Sequence, residues 1–89
     1  MGEMAKNTVT QDQVNDIFNR SELDYKTIFG KCTVVTAKLP NGFIIVESSA
    51  CVDPANFSEE IGADICNERI KNKIWELEGY KLQSELSIK

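Results

Sequence analysis

Apolar residues recur along the chain with two different periods, and the change of period divides it. Val14, Ile17 and Phe18 stand at i, i+3 and i+4, the spacing of one narrow stripe on a helix of about two to three turns. Thr10-Gln11-Asp12-Gln13 ahead of them reads as a capping box, in which the Thr hydroxyl accepts from the third amide and Gln13 reaches back. So short a helix is marginal alone and must be held by packing; it is predicted to end near Arg20 to Glu22. From Leu23 the period falls to two. Leu23, Tyr25, Thr27 and Phe29 alternate with Asp24, Lys26 and Ile28, which predicts a short edge strand ending at Gly30.

Lys31 to Leu39 and Phe43 to Ser49 are two further β-rich runs, separated by Pro40-Asn41-Gly42. Pro presets φ at the first central position of a turn, and Asn-Gly is expected to supply the positive-φ residues after it. The hairpin places Val35, Ala37 and Leu39 on one face and Cys32 and Val34 on the other. Ile44 and Val46 likewise oppose Phe43 and Ile45, so both faces are partly apolar. That predicts helices over one side and makes a second copy, a homodimer, a candidate cover for the other.

After the hairpin, Asp53 before Pro54 reads as an N-cap with Pro at the first helical position. Ser58 is a second N-cap, followed by Glu59 and Glu60 well placed against the helix dipole. Phe57, Ile61 and Ile65 recur every four residues, and Ile70, Ile74 and Leu77 continue with helical spacing. The stripe drifts between Ile65 and Ile70, which predicts a bend or a change of partner. Gly79 is expected to stop this helix as a C′ residue. The predicted fold is α+β: a small antiparallel sheet built on a β-hairpin, packed against a long C-terminal helix and a short N-terminal helix. The organisation expected is a flexible leader over 1–9, one domain over 10–82 and a polar tail over 83–89.

Composition narrows the chemistry. A chain of 89 residues allows one domain with a modest core, and 42% apolar with 27% charged residues is ordinary globular usage. Ten Lys plus Arg against fourteen Asp plus Glu leave a net charge of −4, which disfavours nucleic acid and anionic membrane as partners. Histidine is absent, and with it the commonest general base and metal ligand. Cys32, Cys51 and Cys66 show no C-x-x-C spacing, so no zinc or dithiol site is signalled, and free thiols fit a reducing cytoplasm. The longest apolar run, Phe43 to Val46, is four residues, too short to span a bilayer.

The densest group of unusual residues is the connector and its flanks: Glu47, Ser48, Ser49, Cys51, Asp53 and Asn56. Cys51 as a nucleophile lacks a histidine to activate it, and between Ala50 and Val52 it reads better as a small buried hydrophobe. Glu59 and Glu60 read as dipole compensation on a solvated face. Glu47 interrupts an apolar strand; a buried partner such as Arg69 or Lys73 would satisfy it, and otherwise it faces water at a strand end. Arg69, Lys71 and Lys73 are spread around the helix by their i, i+2, i+4 spacing, among Glu68, Glu76 and Glu78. Trp75 and Tyr80 can close the core or anchor an interface; core closure is the commoner use in a chain this small.

Three motifs taken together resemble a known pattern. Asn41-Gly42-Phe43, Glu47-Ser48-Ser49-Ala50-Cys51-Val52-Asp53-Pro54-Ala55-Asn56-Phe57 and Lys73-Ile74-Trp75-Glu76-Leu77-Glu78-Gly79-Tyr80 look like the gene-product forty-nine and gene-product sixty-six family of small bacteriophage proteins. The resemblance runs from about Val9 to Leu82. Glu76 stands where relatives often carry a Pro after the Trp, which would let the helix run further here. The resemblance brings no catalytic residue. It implies a virion-external, phage-encoded protein acting inside the infected bacterium, where small phage proteins commonly bind host components; a non-enzymatic protein of the host cytoplasm with no metal or cofactor is the expectation.

Two functions suit these residues. In the first, the protein binds and inhibits or modulates a host protein, a defence factor or takeover target, through Glu47, Ser49, Asp53, Asn56, Glu59 and Glu60. In the second, an oligomer captures a host signalling nucleotide, with Arg69, Lys71 and Lys73 meeting phosphates and Trp75 or Tyr80 stacking a base. A minor structural role in the phage is a further alternative.

Overall fold

The structure is a computed structural model that describes residues 7–87. Residues 1–6 of the predicted leader and 88–89 of the predicted tail lie outside the described residues. The elements run α1 (Gln11–Asn19), β1 (Glu22–Ile28), β2 (Cys32–Lys38), β3 (Ile44–Ala50), a 3-10 turn (Pro54–Asn56) and α2 (Glu59–Ser87). The fold is α+β, with a three-stranded antiparallel sheet in the order β1-β2-β3.

The capping box forms at the start of α1. Thr10 Oγ1 accepts from the Gln13 amide at 3.2 Å, and the Thr10 amide donates to Gln13 Oε1 at 3.3 Å, filling two backbone positions that the first helical turn leaves open. Val14 is fully buried, and Ile17 and Phe18 pack against the core beside it.

β1 ends at Ile28, one residue short of the predicted alternation. Phe29 and Gly30 form a two-residue turn, both with positive φ (56° and 69°), closed by the Lys31 amide donating to the Ile28 carbonyl at 3.3 Å. This is the backbone twist a tight hairpin wants. Glycine adopts it freely, whereas a bulky side chain such as Phe29 does so at a cost.

The second turn matches its expected form with one difference. Gly42 has φ 95°, but Asn41 does not enter the left-handed region. Its side chain instead accepts from the Phe43 amide at 3.0 Å, while the Gly42 amide donates to Leu39 at 2.8 Å. Pro40 and Asn41 thus make an ordinary turn, and Gly42 alone absorbs the reversal.

One face of the sheet is covered by the helices. Thr33, Val35, Ala37 and Leu39 of and just after β2, with Ile45 of β3, are buried beneath them. The other face leaves Ile28, Ile44 and Val46 exposed beside Val34 and Thr36, the apolar second face that the alternation predicted.

In α2 the buried ridge is Gly62, Cys66, Ile70 and Ile74. Ile61 and Ile65 stand one residue to the side and are exposed. The drift in the apolar stripe therefore marks a passage from a flanking ridge to the core ridge, whose first two members are small. The i+4 ridge slews around the helix as it advances, so α2 lies on the sheet with its first half and meets α1 further on; Gln13 Nε2 reaches Glu78 Oε1 at 3.4 Å.

The expected stop at Gly79 is overturned: α2 continues through it to Ser87. Gly79 keeps a helical backbone without positive φ. Tyr80, Lys81, Leu82, Gln83 and Ser84 beyond it are all compatible with a helix, and Glu76 after Trp75 leaves the preceding turn intact.

Candidate functional site

The end of the sheet nearest the start of α2 is built from the β1–β2 turn and the connector after β3. The Cys51 amide donates to the Lys31 carbonyl at 3.0 Å, and Lys31 Nζ donates to the Val52 carbonyl at 3.3 Å. These bonds set the connector beside the turn. Phe29 is 92% exposed and Val52 is 93% exposed, so each places a large apolar side chain in water at this end.

The proposed partner-binding residues separate into distinct surroundings. Glu47 and Ser49 belong to the helix-facing row of β3 and are half-buried. Asp53 caps the 3-10 turn, with Oδ1 accepting from the Ala55 amide at 3.0 Å. Asn56 closes that turn and lines a small pocket of about 130 Å³ with Ser49, Cys51, Phe57, Ile61 and Ile65 on the β3 side. Glu59 and Glu60 line the opposite groove, between α2 and β1, where Glu59 Oε2 accepts from Thr27 Oγ1 at 3.2 Å. Ser58 caps α2 as its sequence predicts, accepting from the Ile61 amide at 3.3 Å.

Of the two surroundings open to Glu47, the one with a paired cation is not the one adopted. Among the described residues no cation lies within 4 Å of its carboxylate. Arg69 reaches past it, and Nη1 donates to the Ser48 carbonyl at 2.6 Å. The reason lies in strand register. The bonds from Cys51 to Lys31 and from Leu39 to Phe43 commit the odd-numbered residues of β3 to β2. Ile44, Val46 and Ser48 therefore turn their backbone groups to the open edge, where Arg69 covers one of them.

The alternative ligand-binding residues divide as well. Arg69, Lys73 and Tyr80 lie along the flank of α2 facing β3, where Lys73 joins Phe43, Ile44, Val46 and Leu77 in a groove of about 290 Å³. Lys71 and Trp75 lie on the opposite flank. Lys71 Nζ sits 4.9 Å above the Phe18 ring, a cation–π contact, and Trp75 packs against the core.

Cys51 is half-buried, with Sγ 3.3 Å from the Asp53 carbonyl and 3.7 Å from that of Lys31. Cys66 is fully buried. Burial pushes its thiol up, Arg69 opposes that, and Glu47 and Cys32 add to it; a thiol so held stays protonated and inert. Among the described residues no group of three or more His, Cys, Asp or Glu side chains is placed to hold a metal ion, and no helix is long and apolar enough to cross a membrane.

Two features escaped the sequence. Thr33 is 3% exposed, and its Oγ1 has no hydrogen-bond partner; it is placed beneath the groove that Glu59 and Glu60 line. Phe29 carries positive φ at a fully exposed turn. A Thr in a strand and a Phe in an alternating run give no local signal of either.

No curated protein and no solved structure matches the chain. The Asn-Gly-Phe turn, the connector after β3 and Trp75 of α2 all fall within one family match, over residues 5–86, and the chain belongs to the phage protein (N4 Gp49/phage Sf6 gene 66) family.

Proposed function

We propose that this is a phage-encoded, non-enzymatic binding protein that engages a host protein in the cytoplasm of the infected bacterium and modulates or inhibits it. The observation that carries this reading is Phe29: a large apolar side chain, almost wholly exposed, on a backbone conformation that disfavours it. Asparagine or glycine would serve that turn better, so folding does not account for the aromatic. Exposed aromatics of this kind anchor interfaces. Val52 of the adjoining connector is equally exposed, and with Asp53, Asn56, Glu59 and Glu60 following it in the chain this end carries apolar and acidic groups together, the composition of a protein-binding patch.

The test is a tagged pull-down from infected-host lysate, read by mass spectrometry, with the wild-type chain and with Phe29→Asn. The wild type is expected to retain a stoichiometric host protein. Phe29→Asn is expected to lose it while melting at the same or a higher temperature. Retention of the same protein by Phe29→Asn removes this end of the molecule from the interface.

A second reading, capture of a signalling nucleotide by a homo-oligomer, draws support from Arg69, Lys73 and Tyr80 sharing one flank of α2. Phosphate contacts and a stacking ring would then come from one ridge. A rise in melting temperature with a cyclic nucleotide is the expected outcome under that reading; no rise across a panel of such nucleotides counts against it.

A further inference from the structure

We infer that the uncovered face of the sheet is the contact surface of a two-fold homodimer, in which Asp24 of each copy meets Lys26 of the other. The inference goes beyond the host-binding reading and does not depend on it. Even-numbered residues of all three strands share this face, and no helix lies over it among the described residues. Ile44 and Val46 are just over half exposed there, with Ile28 beyond them, and Val34 and Thr36 of the central strand are half-buried. A contiguous apolar face of this kind marks a contact surface. Its charges are confined to one side: Glu22, Asp24 and Lys26 on β1, with Lys38 opposite Glu22 on β2.

The charge pattern identifies the occupant as a second copy. Sheets stacked in the aligned manner hold their strands within about 30° of each other, so a two-fold axis in the contact plane runs either along the strands or across them. An axis along the strands lays β1 over β3 of the other copy. It presses Glu22 and Asp24 onto Ile44 and Val46 and sets Lys38 against its own counterpart, both of which are costly. An axis across the strands, between the rows of Asp24 and Lys26, lays each strand over its own counterpart in reverse. Asp24 then meets Lys26 of the other copy, twice, while Val34 meets Thr36 and Ile44 meets Ala50. Within one chain Lys26 Nζ lies 3.9 Å from Asp24 Oδ2, with both side chains about two-thirds exposed. Two copies therefore complete a ring of four alternating charges at the rim, which fixes register more than it adds affinity. Three strands of seven residues give the face roughly 300 Å² in plan. That is the low end for a specific interface, so dimers are expected at roughly micromolar concentrations and above. The reversed arrangement sets the two Phe29 turns at opposite ends of the dimer, which presents that end of the molecule twice.

The test is sedimentation velocity of the full chain at low salt, from about one to several hundred micromolar, with a charge swap across the axis. The wild type is expected to pass from monomer to dimer mass over that range. Asp24→Lys alone gathers four cations at the rim and Lys26→Asp alone gathers four anions, so each should weaken self-association at least about tenfold. An equimolar mixture of the two variants restores both opposite-charge contacts and should recover the dimer. Asp24→Lys also reduces the net negative charge of the chain, so a loss of dimer in that variant is a local effect and not general repulsion. Both positions are exposed, and unchanged melting temperatures would show that the fold is kept. A wild type that stays monomeric throughout overturns the proposal. So does self-association that persists unchanged in both variants, since copies would then meet elsewhere, as along the β3 edge. A mixture that associates no better than either variant alone overturns the two-fold arrangement and the proposal with it.

Discussion

Where α2 crosses β2, one residue has no side chain and its neighbour has an unpaired hydroxyl. A Cβ placed on Gly62 would lie 2.9 Å from the Thr33 Cβ and closer still to Oγ1. The obstructing atoms belong to a β-branched side chain near its backbone, which has little room to move. Gly62→Ala is therefore expected to destabilise the fold by about 1–3 kcal/mol through overpacking, measured by urea denaturation; an unchanged midpoint would mean that helix and sheet do not approach so closely. Cys66, one turn on, sets a pH dependence. Its thiol is held above its ordinary value of 9.0, burial being the main cause. Below that value both folded and unfolded chains keep the proton, and the full stability is present. As pH rises through and beyond it the unfolded chain ionises first, so stability falls until the folded thiol ionises too. Denaturation midpoints should drop above pH 9 in the wild type and drop less in Cys66→Ala. Neither residue announced its role. Gly62 and Cys66 are too small to register as an apolar stripe, so the sequence led to Ile61 and Ile65, which lie on the flank.

At the scale of elements, local chemistry was readable wherever the backbone itself was constrained. Thr10 and Gln13, Pro40 with Gly42, Asp53 before Pro54 and Ser58 each perform the turn or cap that their side chains favour. These signals live within four residues and need no tertiary partner. Gly79 is the counter-example: the same residue type marks a helix end or sits inside one, and only the residues beyond it decide. Since Gly79 has helical φ and nothing within 4 Å of a built Cβ, Gly79→Ala is expected to raise stability by about 0.5–1 kcal/mol. A glycine acting as a C′ residue with positive φ would give the opposite sign, so thermal denaturation of this one variant tests the continuity of α2. The candidate sites were less legible because they depend on which flank of α2 each residue takes. The spacing of Arg69, Lys71 and Lys73 shows that they spread around a helix but not what each meets; α2 sends Lys71 to Phe18 and the other two toward β3.

As a whole the molecule is elongated, 54 Å by 22 Å by 20 Å, because a helix of 29 residues, about 43 Å long, lies on strands of seven residues, about 23 Å long. Both β1 and β3 are edge strands. On β3 the outward groups of Ile44, Val46 and Ser48 form a template for another strand, and Arg69 stands over the last of them. Arg69→Ala is expected to shift the chain toward higher oligomers, seen as a concentration-dependent rise in sedimentation coefficient; a coefficient unchanged at every concentration would show that Arg69 does not guard the edge.

Strand order in this sheet is also chain order. During synthesis each strand leaves the ribosome next to the one it will pair with, and no partner has to wait for a distant segment. Once Ala50 has emerged, the three strands can close on one another as successive hairpins, which keeps loop-closure costs small and folding fast. The helix that covers them arrives last, onto a surface already formed. Until it does, Val35, Ala37 and Ile45 lack their cover. The time α2 takes to follow the strands out of the ribosome, a few seconds at about 5–20 residues per second, is the interval in which the nascent sheet is most open to aggregation.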